Sequence, residues 1–439
     1  MSGIAHLLLA RGVVVTGSDL KHSPGLDRLR EAGADVFVGH RADHVGNPDA
    51  TVVSSAIPED NPELRAARAA NIPVVSRAQA LAALMRGHRT VAVAGTHGKT
   101  TTTSMISVML SRMGLDPSFV IGGDLNESGS GAGSGRGDVF VAEVDESDGS
   151  FLVFDPEIAV VTNIEADHLD HFGDADQVEA AFAAFAGQAG MVVVCWDDPG
   201  VRRALGPGSS KLLRYGRGDD VDLLIQDEEL TAGGSRSTFV VRGTPIEVRL
   251  AVPGRHNVLN AAAAIGVASL LELSLAEAAE ALASFSGVHR RFESLGTHRG
   301  AVVVDDYAHH PTEVAATLQT ARLSGSERVV AVFQPHRYTR TQAMWRELGE
   351  SLLEADLIVL TDVYAAGESP IPGVTGKLVV DAAAEAAPGK RIVYLPRRWE
   401  IAPFLAREIR DGDLVLTLGA GDITMVGEET LERLRESAS

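Results

Sequence analysis

Short apolar runs separated by stretches of helical periodicity recur from one end of the chain to the other. In residues 1–88 the runs are 13–16, 35–38 and 51–54, and residues 25–32 and 61–70 carry the spacing of helices between them. Such alternation predicts βαβ units and a parallel sheet. Residues 4–10 are apolar as well, but the segment contains His6, lacks a basic leader and runs into Arg11-Gly12. It reads as a helix and not as a signal peptide. An α/β domain opening on a helix is either atypical or short of its first strand.

A second unit, 89–286, begins with the apolar run 90–94, a glycine-bearing turn and a helical stretch over 100–113. Residues 128–137 form a Gly/Ser-rich segment expected to be a mobile loop without chemistry. Strands are expected at 138–144 and 158–163, antiparallel ribbons at 221–252, and an Ala-rich helix at 257–271. A third unit, 287–439, has strands at 301–305, 328–333, 356–361, 391–394 and 414–418, separated by helices. These strands are near-continuous Val, Ile and Leu, as required when helices cover both faces of a sheet. The reading is an α/β chain of three domains: 1–88, 89–286 and 287–439.

Composition narrows the partners. With 439 residues, three domains fit the usual domain size. The formal charge of −20 repels nucleic acid and anionic membranes, so neither is expected as a partner. One cysteine, Cys195, excludes an internal disulfide framework and suits a cytoplasmic location. No apolar run approaches the roughly 20 residues of a membrane span. Oligomeric state is not legible.

The densest chemistry follows the strand at 90–94. In Gly95-Thr96-His97-Gly98-Lys99-Thr100-Thr101, glycines let backbone N–H groups converge on phosphate oxygens. Lys99 adds a point charge, and Thr100 offers a hydroxyl to Mg²⁺. The spacing departs from the full G-x-x-x-x-G-K-S/T loop because Val93 occupies the first glycine position. The strand–turn–helix context, not the triplet alone, makes a phosphate-binding loop for ATP the expectation here, with a plain structural turn as the alternative. Asp19, at the end of an N-terminal strand, fits either a ribose contact or a solvated carboxylate.

Further clusters stand at strand ends. Glu143, Asp145, Glu146 and Asp148 concentrate four acids in six residues, a costly arrangement unless it is solvated or faces a cation. Asn163-Ile164-Glu165-Ala166-Asp167-His168 follows the next strand. Asn257 and Asn260 open the Ala-rich helix, where asparagine is first of all a cap but can also pair with a base edge. Arg290 and Arg291 lie at the third unit's boundary, compatible with an exposed linker. Asp305-Asp306-Tyr307-Ala308-His309-His310-Pro311-Thr312-Glu313 brings carboxylates, a phenol and two imidazoles to a strand end, where open parallel sheets bind ligands. Arg337 and Arg340 fit either a helix surface or a carboxylate fork.

The phosphate loop resembles that of the Mur ligase superfamily, and His97 resembles its alanine-adding branch. The clusters E-V-D-E-S-D, N-I-E-A-D-H, R-H-N-V-L-N, R-R-F-E and D-D-Y-A-H-H-P-T-E are similar to that branch in the same order along the chain. Val144 and Ala308 are departures. The resemblance implies a Rossmann-like N-terminal domain for a UDP sugar, a central P-loop-type ATP-binding domain with added β ribbons, and a Rossmann-like C-terminal domain for the amino acid.

It also implies roles. Gly95 through Thr101 and Lys99 would hold ATP phosphates. Thr100, Glu143 and His168 would bind Mg²⁺, and Asn257 and Asn260 the adenine. Arg291 would reach the phosphates and Asp306 the ribose. Tyr307 and His309 would lie near the amino acid, with Arg337 and Arg340 on its carboxylate. Lys99, Glu143, His168 and His309 would be the catalytic group. The carbamylated lysine of some relatives has no counterpart, since no lysine lies between Lys99 and Lys211.

The implied reaction is ATP-dependent ligation of L-alanine to the lactyl carboxylate of UDP-N-acetylmuramate through an acyl phosphate, closure of the third domain excluding water. Alternatives are another amide ligase of the superfamily, for muropeptides or folate, or a nucleotide-binding regulator without turnover. Met1-Ser2-Gly3-Ile4-Ala5 aligns inside the family's Gly-rich turn. The expectation is therefore that the first strand and most of the pyrophosphate loop are absent, weakening UDP-sugar binding by the protein as written.

Overall fold

The computed structural model describes residues 1–126, 129–208 and 211–436. By contact density the chain forms two compact units. One comprises 1–228, 237–249 and 259–285; the other comprises 229–236, 250–258 and 286–439.

In the N-terminal part, the strands Thr16–Asp19 and Asp35–Val38 pair in parallel, as do Thr51–Val53 and Val74–Ser76. The first strand lies three residues later than the apolar run suggests. Its ladder is bracketed by Asp35 N–H on Val15 O and Gly39 N–H on Asp19 O, at 3.1 and 2.8 Å. Val13 and Val14 precede it and are exposed. Hydrogen bonding to the neighbour, not side-chain apolarity, sets this boundary.

Local chemistry starts the helices. Ser23 caps Pro24–Glu31, the Asn61 side chain accepts from Glu63 and Leu64 N–H to cap Pro62–Ala69, and Ser76 with Gln79 forms a capping box for Arg77–Met85. Ile4, Leu7, Leu81, Leu84 and Met85 join the same core as Phe140 of the central sheet and Phe151 of the short helical turn Ser150–Val153. Leu26, Leu29, Ala34 and Val36 form a smaller cluster.

The central sheet has ten strands. Its parallel heart runs Leu212–Gly216, Met191–Cys195, Ile158–Val161, Arg89–Ala94, Val139–Glu143, Ser118–Val120. The expected ribbons are Leu223–Thr231, Gly234–Val241 and Thr244–Leu250. They extend this sheet instead of forming a separate layer, because Leu223–Thr231 pairs in parallel with Leu212–Gly216. Phe151 packs its ring 5.1 and 5.2 Å from those of Phe182 and Phe185, all fully buried. Truncating such a ring costs about 3–5 kcal/mol.

Of the Gly/Ser-rich segment, residue 128 lies outside the described residues. Much of the remainder is tied down: Ala132–Gly133 pairs antiparallel with Ser118–Val120, and Arg136 N–H donates to Asp116 Oδ2 at 3.0 Å. Small residues serve close backbone approach here. Cys195 is buried, and burial followed by the nearby Asp197 pushes its thiol up to about 12.

The C-terminal sheet has six strands in the order Glu293–His298, Ala301–Asp306, Asp413–Leu418, Arg328–Phe333, Leu357–Leu360, Arg391–Tyr394. Only the first is antiparallel to its neighbour. Separate buried clusters lie against it, one with Val314, Leu318, Phe333 and Leu348, the other with Ile401, Leu405, Val415 and Val426. Both faces are therefore covered, which accounts for the apolar strands. No helix among the described residues is long and apolar enough to cross a membrane.

Candidate active site

The phosphate loop joins the strand Arg89–Ala94 to the helix Lys99–Arg112. Two of its glycines are required by geometry. Gly95 has φ +138°, and a Cβ there would lie 2.0 Å from Thr162 Oγ1; Gly98, at φ +77°, would meet Asn260 Oδ1 at 2.8 Å. The next strand's end braces the loop. Asn163 Oδ1 accepts from His97 N–H at 2.8 Å, Thr162 Oγ1 donates to His97 O at 2.6 Å, and Thr96 Oγ1 accepts from Glu165 N–H at 2.9 Å.

The helix is rich in threonine, a weak helix former, yet it is buried through Leu110. Its hydroxyls are satisfied internally: Thr103, Ser104 and Ser107 donate to carbonyls four residues back at 2.7–2.8 Å. Thr102 Oγ1 donates to Asn260 Oδ1 at 3.1 Å, coupling this helix to Arg255–Leu270. Tertiary burial overrides propensity.

Lys99 Nζ donates to Gly95 O (2.6 Å), Thr96 O (3.2 Å) and Glu146 Oε1 (2.8 Å). Glu146 is 3% exposed, and its second oxygen has no hydrogen-bond partner. Burial raises its carboxyl to about 7 against the opposing pull of Lys99. Burial depresses the Lys99 ammonium, but Glu146, Glu143 and Asp145 outweigh it and hold the group above its ordinary value.

Thr100 Oγ1 donates to Glu143 Oε1 at 3.1 Å, and Gly122 N–H donates to Glu143 Oε2 at 2.6 Å. His168, at φ +55°, places Nε2 3.9 Å from Glu146 and 3.6 Å from Asp167. Thr100, Glu143 and the unpartnered buried oxygen of Glu146 are hard oxygen donors, the set Mg²⁺ prefers. The residues present fit that ion. Asn257 Nδ2 donates to Pro253 O at 2.7 Å, a local contact at the start of its helix.

The second cluster belongs to the C-terminal sheet. Asp306 accepts from Phe292 N–H and Ala308 N–H at 2.8 and 2.7 Å. Its carboxyl is raised to about 6 by burial, partly opposed by Arg291 and the two amides. Tyr307 lies beneath two guanidiniums, Arg290 at 4.9 Å and Arg291 at 5.2 Å from its ring centre.

His309 Nδ1 is 3.0 Å from Tyr307 O. A carbonyl only accepts, so this contact assigns the proton to Nδ1 and leaves Nε2 as the basic nitrogen. Burial lowers His309 to about 3, with Glu313 opposing and Arg340 adding, so the ring is neutral near pH 7. His336 lies 5.6 Å from it, lowered to about 4 by burial and then by Arg340 and Arg337. Arg337 Nε donates to Glu368 Oε1 at 2.7 Å.

The structure thus gathers Gly95, Thr96, His97, Gly98, Lys99, Thr100, Thr101, Glu143, His168 and Asn260 in one unit. It gathers Asp306, Tyr307, His309, Arg291, Arg337 and Arg340 in the other. Sequence reasoning passed over Glu146, Arg290, Glu313 and Glu368 as individual groups. Glu313 was the most findable: it stands three residues after His310, the position that closes a capping box, and its carboxylate accepts from His309 N–H at 3.1 Å.

A lysine-bearing phosphate loop on a parallel sheet, with an arginine–histidine cluster on a second sheet, defines an ATP-dependent ligase. Three family domains match in order: the Mur ligase family catalytic domain over 1–89, the Mur ligase middle domain over 93–268 and the Mur ligase glutamate ligase domain over 290–421. The chain belongs to the Mur ligase family. It is similar to the UDP-N-acetylmuramate–L-alanine ligase of Kineococcus radiotolerans, with 50% identity over 99% of this chain and 94% of that one. The ligase of the same name from Thermobifida fusca is 47% identical over the same shares. Among solved structures, the UDP-N-acetylmuramate–alanine ligase of Thermotoga maritima superposes with a TM-score of 0.83 at 30% identity, covering 100% of this chain and 97% of the other.

Proposed function

We propose that this chain joins L-alanine to the lactyl carboxylate of UDP-N-acetylmuramate, converting ATP to ADP and phosphate, in the cytoplasmic synthesis of peptidoglycan precursors. The observation that carries the reading is the conjunction of the Lys99 loop with a neutral His309 and the Arg337/Arg340 pair in one chain. Whole-length similarity to ligases named for this reaction supports it.

A carboxylate is a poor electrophile, and phosphorylation by ATP turns it into an acyl phosphate that an amine can attack. In this reading residues 1–88 bind the UDP sugar, 89–286 the ATP and 287–439 the amino acid. Lys99, released from Glu146, holds the phosphoryl group in flight through its three donors. Thr100, Glu143 and His168 would hold Mg²⁺, which when bound spreads the charge of the transferring phosphoryl group. Asn257 and Asn260 face the adenine, Arg291 the phosphates and Asp306 the ribose. Arg337 and Arg340 take the amino acid's carboxylate, and the unprotonated Nε2 of His309 accepts a hydrogen bond from the amine and orients it toward the acyl carbon. Tyr307 lies near the incoming amino acid.

The test is ADP release with UDP-N-acetylmuramate and a panel of L-alanine, glycine, L-serine, D-glutamate and a tripeptide. Release that requires the UDP sugar and is fastest with L-alanine supports the reading. Preference for the tripeptide, or glutamate-dependent release with folate, overturns it.

A further inference from the structure

We infer that Glu368 is a positioning residue for amino-acid recognition: it fixes the guanidinium plane of Arg337 and so aims it at the substrate carboxylate. The inference rests on the proposed function and assigns a role to a loop, residues 364–368, that the reaction as described leaves unused.

The backbone of Arg337 is held in an unfavourable state. It has φ +68° and ψ 136°, a conformation that costs a side-chain-bearing residue about 1–3 kcal/mol. Its N–H donates to Tyr364 O at 2.8 Å, and Tyr364 N–H donates to Pro335 O at 2.8 Å. Thr341 returns two bonds to Arg337 O, from N–H at 3.1 Å and Oγ1 at 2.8 Å. The main chain is thereby fixed while the long side chain still has four torsions to settle.

Glu368 settles them. Its Oε1 accepts from Arg337 Nε at 2.7 Å and from Thr339 Oγ1 at 2.7 Å, and its Oε2 accepts from Thr339 N–H at 3.0 Å. The carboxylate therefore caps the helix Tyr338–Ser351 and clasps the arginine just ahead of it. Burial pushes the Glu368 carboxyl up, but the Thr339 hydroxyl and amide, together with Arg337, outweigh it and hold the group below its ordinary range. An acceptor at Nε sets the rotation of the whole planar fork. The Nη1/Nη2 edge then points in one direction, which is what bidentate capture of a carboxylate demands.

The loop keeps Glu368 in place through its own turn. Glu368 N–H donates to Ala365 O at 2.9 Å, with Ala366 and Gly367 at φ +48° and +88° between them. His336 and Tyr364 form an isolated parallel bridge, and their rings stack at 5.7 Å.

The experiment compares initial rates of the intact chain with those of Glu368→Ala and Glu368→Gln, varying each substrate in turn. Glu368→Ala is expected to raise KM for L-alanine about tenfold or more, with KM for ATP and UDP-N-acetylmuramate changed less than about twofold. Glu368→Gln keeps an acceptor oxygen for Nε and is expected to recover most of the loss. A KM for L-alanine that stays put in Glu368→Ala overturns the inference. So does a rise shared equally by all three substrates alongside a fall in Tm, which marks a helix cap and nothing more. If turnover of the unmodified chain ignores L-alanine, the proposed function fails and takes this inference with it; an alanine-dependent enzyme with unchanged KM sinks the inference alone.

Discussion

Lys99 and Glu146 form a buried ion pair, 2.8 Å between Nζ and Oε1, in which the cation proposed to hold phosphate is held by a carboxylate that has only one oxygen satisfied. Removing one partner of such a pair strands the other. Lys99→Ala is therefore expected to reduce substrate-dependent ADP release at least about a thousandfold. It should also lower stability by about 3–5 kcal/mol near pH 8. Chemical denaturation and an ADP-release assay on the same sample check both. Retention of half the activity would remove Lys99 from the reaction.

Thr100 and Glu143 are the oxygen donors proposed for Mg²⁺. Glu143→Gln and Thr100→Val are expected to raise the Mg²⁺ concentration for half-maximal activity about tenfold or more, with folding intact by circular dichroism. A Mg²⁺ titration of ADP release is the measurement. Variants that titrate like the parent would place the ion elsewhere.

In the proposed reaction the unprotonated Nε2 of His309 orients the amine of alanine. His309→Gln is expected to lower kcat by about a hundredfold while KM for ATP stays within about twofold. A variant as fast as the parent at neutral pH would remove His309 from the reaction.

Stability should fall in acid for a specific reason. His309, His336 and His256 are lowered by burial to about 3, 4 and 4, from an ordinary 6.5. Each depressed pKa contributes stability that is complete above about 6.5 and is lost as pH falls toward the folded value. The slope is up to about 1.4 kcal/mol per pH unit for each proton. Denaturation between pH 7 and 4 should show the decline, and His309→Gln should flatten it. An unchanged slope in that variant would mean that His309 already titrates in the folded protein.

Much of the fold was legible because helices on both faces leave strands apolar throughout: the C-terminal runs at 301–305, 328–333 and 414–418 match observed strands within a residue. The misplaced strand at 13–16 shows the limit, since Val13 and Val14 are apolar but unpaired. Strand order was not readable either. That Asp413–Leu418 inserts between Ala301–Asp306 and Arg328–Phe333 depends on contacts remote in sequence. In the site, residues clustered after strands stood out, Glu146 and Glu313 among them, but which neighbour each of these and Glu368 would clasp did not. A lone glutamate carries no mark of which side chain it will meet. Glu368 lies 31 residues from Arg337, and only the fold brings them together.

Cys195, the chain's single thiol, is enclosed and kept protonated far beyond neutral pH. Maleimide and iodoacetamide dyes need an accessible thiolate, so they should leave the parent protein dark. A cysteine introduced at an exposed position such as Trp399 would then be the sole attachment point, without first stripping out a native one. Pairs of such tags make the enzyme ready for fluorescence distance measurements as nucleotide and amino acid are added.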